Sequence, residues 1–156
     1  MRTGFLGKGG SGKTTVAAGF VRYCSRDQHV LAIDADVNVH LQEAAGVEGS
    51  AEKLGQNHEE VKDFVEPETE RTIVHTSPPD EDSRFVKPDP EDEFVQRFGV
   101  TEGNISLLKA GSFEHQDISK TCYHGKLEPL EMFVHRLIDS EDDIVVGDMT
   151  AGIDNL

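Results

Sequence analysis

The segment Gly7-Lys8-Gly9-Gly10-Ser11-Gly12-Lys13-Thr14 does most to narrow what this chain can fold into. A run with glycine at half its positions cannot form the interior of a helix or a strand, because glycine loses too much backbone freedom there. It sits between two stretches of regular pattern. Thr3–Leu6 is short and apolar and reads as a strand. Lys13–Arg26 reads as a helix: Val16, Phe20 and Cys24 recur every four residues with Ala17 and Val21 beside them, giving one apolar stripe. Cys24 on that stripe reads as a packing residue.

Strand, glycine loop and helix in that order let backbone N–H groups turn inward around an anion, and the helix start adds its positive end. The spacing G-x-x-x-x-G-K-[ST] supplies what a polyphosphate needs. Lys13 would neutralise the β- and γ-phosphates. The Thr14 hydroxyl would ligate Mg²⁺, and Thr15 is placed to touch the α-phosphate.

The rest of the chain alternates strands and helices. His29–Asp34 is a compact apolar run, a buried strand ending at Asp34 and Asp36. Gly49–Glu66 allows a surface helix through Leu54, Val61, Phe64 and Val65. Thr72–Thr76 reads as a short strand. Residues 77–93 hold Pro78, Pro79, Pro88 and Pro90 among seven acids and read as an exposed acidic loop. Ile105–Ala110 reads as a strand. Glu128–Asp139 reads as a helix with Pro129 near its start and Leu130, Phe133, Val134, Leu137 and Ile138 on one face. Ile144–Asp148 is a last buried strand ending in a carboxylate. Alternation of this kind predicts an α/β fold, one domain over 1–156, with a mostly parallel sheet. Ligands in such folds lie at the carboxyl ends of strands. Gly7–Thr14, Asp34–Asp36 and Asp148–Gly152 all fall there.

Composition excludes some partners. Fifteen cations against thirty acids give a net charge of −15 and a pI near 4.7. That argues against sequence-independent binding to nucleic acid and against docking on anionic membranes. Two distant cysteines, Cys24 and Cys122, make no disulfide framework and point to the reducing cytoplasm. The N-terminus has no apolar run long enough for a signal or anchor.

Lys8-Gly9-Gly10-Ser11-Gly12-Lys13-Thr14-Thr15 resembles the deviant Walker A motif of the MinD/ParA group of P-loop ATPases, which includes the nitrogenase iron protein. The resemblance implies a three-layer P-loop fold, ATP and Mg²⁺ as ligands, and a homodimer that closes on nucleotide. It implies that Lys8 crosses to the partner's phosphates and works there with Lys13. Asp34-Ala35-Asp36 resembles switch I, implying that Asp36 orients the attacking water or holds Mg²⁺ through water, with Asp34 in support. Asp148-Met149-Thr150-Ala151-Gly152 resembles the Walker B and switch II segment, with Asp148 near the magnesium shell. Gly7, Gly9, Gly10, Ser11 and Gly12 would wrap the phosphates.

Within the group, the switch II wording is most similar to the CooC-type ATPases that mature nickel enzymes. Their Cys-x-Cys pair corresponds here to Cys122-Tyr123-His124. The resemblance implies a Zn²⁺ or Ni²⁺ site at a dimer interface, with Cys122 and His124 from each subunit. It covers nearly the whole chain but only about the first half of the family's usual fold, ending just after switch II. A sheet truncated there would keep an open edge, with self-association expected when this polypeptide is made alone. The client protein stays unidentified. Two other readings stay open: a metal-binding interaction protein acting through Cys122 and His124, and a nucleotide-binding fragment without turnover.

Overall fold

The computed structural model describes residues 1–36, 39–67, 74, 77–111 and 123–149, with the side chains of 123–126 excepted. Its elements are β1 (Arg2–Phe5), α1 (Lys13–Cys24), β2 (Val30–Ala35), α2 (Leu41–Ala45), α3 (His58–Val65), α4 (Glu93–Phe98), β3 (Val100–Glu102), β4 (Ile105–Lys109), α5 (Tyr123–Arg136) and β5 (Ile144–Met149). The strands form one sheet in the order β1-β5-β2-β4-β3, parallel except for β3 against β4. The expected α/β fold with a mostly parallel sheet is therefore present.

β2 lies in the middle and is buried along its whole length. Its residues alternate between two cores, as the two-residue repeat of a strand requires. Leu31, Ile33 and Ala35 pack with α3, α4 and α5 through Val61, Phe94, Phe98 and Phe133. Val30 and Ala32 pack on the other face with Ala17, Ala18 and Val21 of α1 and Leu41 of α2. Helices on both faces of a parallel sheet explain why HVLAID carries no polar alternation until its last residue.

Two helix faces differ from the sequence expectation. In α1 the buried stripe is Ala17, Ala18 and Val21, while Val16 is 57% exposed. The small alanines let the helix approach the sheet, and that contact sets its rotation. Phe20 and Cys24 are partly buried against the same core. α5 starts at Tyr123, so Pro129 lies inside it rather than near its start. The proline removes one intrahelical hydrogen bond. The buried face of α5 extends back to Leu127 and runs through Leu130, Met132 and Phe133, leaving Val134 exposed; α5 ends at Arg136 rather than Asp139, with Leu137 buried and Ile138 exposed just beyond it.

Segment 77–93 is mostly exposed, as expected, but it is pinned at points the proline and acid content did not reveal. Ser83, Val86 and Pro88 are buried. The Arg84 N–H donates to the Val65 carbonyl at 2.8 Å, and Val86 exchanges backbone bonds with Arg136 and Ile138 at 2.9 Å each. Asp92 then caps α4, accepting from the Phe94 N–H. The surface helix expected in Gly49–Glu66 resolves into a 3-10 turn at Leu54–Gln56 and α3. Of the strand expected at Thr72–Thr76, only Val74 lies among the described residues.

Candidate nucleotide site

β1 and β2 are consecutive along the chain, yet β5 runs between them. In register, Phe5 faces Asp148 and Asp148 faces Asp34. The carboxyl ends of three parallel strands thus deliver the glycine loop, Asp148 and the Asp34–Asp36 segment to one place.

The loop turns tightly. The Ser11 N–H donates to the Lys8 carbonyl at 3.1 Å. Gly10 and Gly12 take φ values of 76° and 85°, a left-handed conformation that L side chains resist. A Cβ at Gly9, Gly10 or Gly12 would meet no protein atom within 4 Å. These positions border open space rather than packed chain. Gly12 heads α1 without any side-chain cap, and the first turn of α1 carries no acidic residue. The first N–H groups of a helix have no intrahelical acceptor. Here no carboxylate of the helix itself competes for that positive end.

Gly9, Gly10, Gly12, Lys13, Thr14, Thr15, Asp36 and His40 line a cavity of about 360 Å³. The Lys13 side chain is buried, with its ammonium 3.4 Å from Asp36 Oδ2. The Thr14 hydroxyl donates to Asp148 Oδ2 at 2.6 Å. Gly7, Lys8 and Ser11 lie outside the lining, and Lys8 is exposed at the loop surface. Asp148 lies beneath the cavity, reached through Thr14.

Below this cavity the electrostatics are unbalanced. Asp34 and Asp148 are both fully buried, and each keeps one carboxylate oxygen, Oδ1, without a hydrogen-bond partner. The other Asp34 oxygen accepts the Leu41 N–H at 2.9 Å. Burial pushes the Asp34 carboxyl up to about 6, with the nearby Asp148 charge adding to the rise and the Leu41 N–H opposing it. Burial also raises Asp148, against the Thr14 hydrogen bond. Buried oxygens of this kind call for a cation or a proton.

Thr14, Asp36 and Asp148 are hard oxygen donors that suit Mg²⁺, an ion that takes few protein ligands and completes its shell with phosphates and water. No group of three or more His, Cys, Asp or Glu among the described residues could by itself hold a metal ion. The donor set and the orphaned Asp148 oxygen fit a magnesium–triphosphate group. Cys122, the His124 side chain and residues 150–153 of the switch II match lie outside the described residues. His40 stands in no ligand spacing in the sequence. Its only signal is its position four residues beyond Asp36.

Residues 5–153 match the family model described as the CobQ/CobB/MinD/ParA nucleotide binding domain. The chain belongs to this family. The comparison with curated proteins finds no match. The fold that carries the loop, α1 and the three strand ends is thus a nucleotide-binding domain of the MinD/ParA type. No helix among its described residues is long and apolar enough to cross a membrane.

Proposed function

We propose that this chain binds Mg-ATP at the Gly7–Thr15 loop and hydrolyses it as a cytoplasmic, nucleotide-dependent dimeric switch. The observation that carries the reading is the Lys13–Asp36 ion pair at the mouth of an otherwise uncapped α1. It holds the lysine beside the place where phosphate would bind. An incoming polyphosphate competes with Asp36 for that ammonium. Lys13 then neutralises the β- and γ-phosphates while the loop N–H groups hold their oxygens. Asp36, relieved of the lysine, accepts a hydrogen bond from water and aims it at the γ-phosphorus. The water oxygen bonds to phosphorus, the bond to the β-phosphate oxygen breaks, and ADP, inorganic phosphate and a proton leave.

Magnesium, when bound, would neutralise charge on the phosphates. Thr14, positioned by Asp148, would hold it, with Asp36 acting through water. Lys8, exposed on the loop, is free to reach a second protomer's phosphates, where negative charge accumulates during transfer. Opening and closing of the dimer would serve a partner protein, for instance in metalloenzyme maturation. Cys122 and His124 would then be the residues to hold Zn²⁺ or Ni²⁺ between subunits.

The test is equilibrium binding of a fluorescent ATP analogue with Mg²⁺, read together with oligomeric state. Wild type is expected to saturate and dimerise. Lys13→Ala is expected to lose about 100-fold in affinity, the value of one or two charge-assisted hydrogen bonds. Equal binding by both proteins would overturn the reading.

A further inference from the structure

The cavity has one lining residue that the proposed mechanism does not use. His40 enters it from the connection between β2 and α2, which also supplies Asp36. Its backbone is fixed from both sides. On one side, Val39 holds a φ of 51° and is the one described residue other than glycine with positive φ. A β-branched residue in that region is strained, and such strain persists only where the surroundings impose it. The Val39 N–H donates to the Asp36 carbonyl at 3.2 Å. On the other side, the Leu41 N–H is anchored to the buried Asp34 carboxylate. The His40 carbonyl itself accepts the Ala44 N–H at 3.1 Å, opening α2.

We infer that His40 is a further binding residue of this cavity, donating an imidazole N–H to the terminal phosphoryl group of a bound nucleoside triphosphate. The inference rests on the reading of the cavity as a triphosphate site. Lys13, Thr14 and Thr15 come from α1, where the chain of phosphates is gripped. Asp36 and His40 come from the opposite connection. In the proposed mechanism Asp36 holds water against the γ-phosphorus, and His40, which lines the same cavity four residues further on, is placed to meet the same phosphoryl group. Phosphoryl oxygens are acceptors only, and a neutral imidazole always has one N–H to give. Asp36 cannot donate in its ionised form, so His40 gives this side of the cavity its donor. A diphosphate lacks the group His40 would touch, so the residue separates triphosphate from diphosphate.

The experiment compares Mg²⁺-dependent binding of the β,γ-imido analogue of ATP with that of ADP. It uses the full chain in wild type, His40→Ala and His40→Gln. His40→Ala is expected to weaken the triphosphate analogue about tenfold and ADP less than about twofold, as the loss of one hydrogen bond to a charged group would. His40→Gln keeps an N–H donor and is expected to recover part of the loss. It also keeps the test informative if the alanine variant folds poorly. Equal weakening for both nucleotides would mean that His40 only supports the connection, and would overturn the inference. So would unchanged affinity for both. If wild type binds neither nucleotide, the reading of the cavity itself fails, and the role of His40 falls with it.

Discussion

Two groups of charged residues are buried among the described residues, and they are built on opposite plans. Arg136 and Glu66 lie on the far side of the sheet, with α3 and α5. Arg136 is wholly buried and donates through Nε to Glu66 Oε1 at 2.6 Å and through Nη1 to the Met132 carbonyl at 3.1 Å. The Ser83 hydroxyl donates to the same Glu66 oxygen. One cation meets one anion, and the charges cancel. Asp34 and Asp148 lie at the carboxyl ends of β2 and β5. They are like charges on neighbouring strands, each with an unpartnered oxygen; Lys13 pairs directly with Asp36 and reaches Asp148 only through its field. The first group matches its charges within itself and ties three chain segments together, although Arg136 Nη2 has only the ion pair with Glu66 and no hydrogen bond. The second closes only when something cationic joins it. A buried charge matched inside the protein reads as architecture, and a mismatched one reads as a site.

The contrast is broken most severely at Arg136. Arg136→Ala leaves the Glu66 carboxylate buried without its counter-charge, and the expected loss of stability is about 3–5 kcal/mol. Replacing both partners, as Arg136→Met with Glu66→Leu, should recover most of it, because the desolvation penalty of both ions disappears. Ser83 keeps a second acceptor in Asp80 at 3.3 Å. Urea denaturation of the three proteins decides the matter. A single variant as stable as wild type would mean that the pair is not the tie it is taken to be.

The two groups also differ in how far the sequence exposes them. The glycine octet is legible because its chemistry is local: the turn, the lysine and the hydroxyl all follow one another. Asp34 and Asp148 are legible because each ends an apolar run, and strand ends are where α/β proteins place ligands. The Arg136–Glu66 pair joins residues 70 apart in sequence and has no local signature. The rotation of α1 and α5 is not legible in the sequence for a related reason. Val16, Val134 and Ile138 are as apolar as the residues that are buried, and only contact with the sheet chooses between faces. A different miss is α4. Asp92 followed by Phe94, Val95 and Phe98 is a capped apolar helix, but the surrounding prolines and acids hid it.

The site group breaks the other way. Asp34→Asn removes a buried charge but keeps an oxygen to accept the Leu41 N–H. The folded protein holds the Asp34 carboxyl up to about 6 from an ordinary value of 3.8. The native state therefore favours the neutral acid. Wild type carries no handicap below the ordinary carboxylate range, and its stability relative to Asp34→Asn falls as pH rises through about 6. In the absence of nucleotide the asparagine variant should be more stable at pH 7.5 by about 1–3 kcal/mol, and the difference should vanish near pH 4. Urea midpoints at the two pH values measure it. A constant difference would show that Asp34 is neutralised by something other than a proton.

The smallest effect sharpens the contrast, because it asks whether the site stores cost in its backbone as well as in its charges. Val39 holds a left-handed φ between Asp36 and His40, both cavity residues. That conformation costs a β-branched residue about 1–2 kcal/mol, and glycine almost nothing. Glycine also gains freedom in the unfolded chain, which offsets part of the relief. Val39→Gly should therefore raise the stability of the nucleotide-free protein by about 0.5–1 kcal/mol, read as a rise in Tm of a few degrees. The same change loosens the hold on His40, so affinity for the triphosphate analogue should fall while stability rises. No corresponding trade is expected around Arg136, where every described residue other than glycine keeps a negative φ. If Val39→Gly lowers both stability and affinity, the strain is not stored at Val39, and the connection is held by its hydrogen bonds alone.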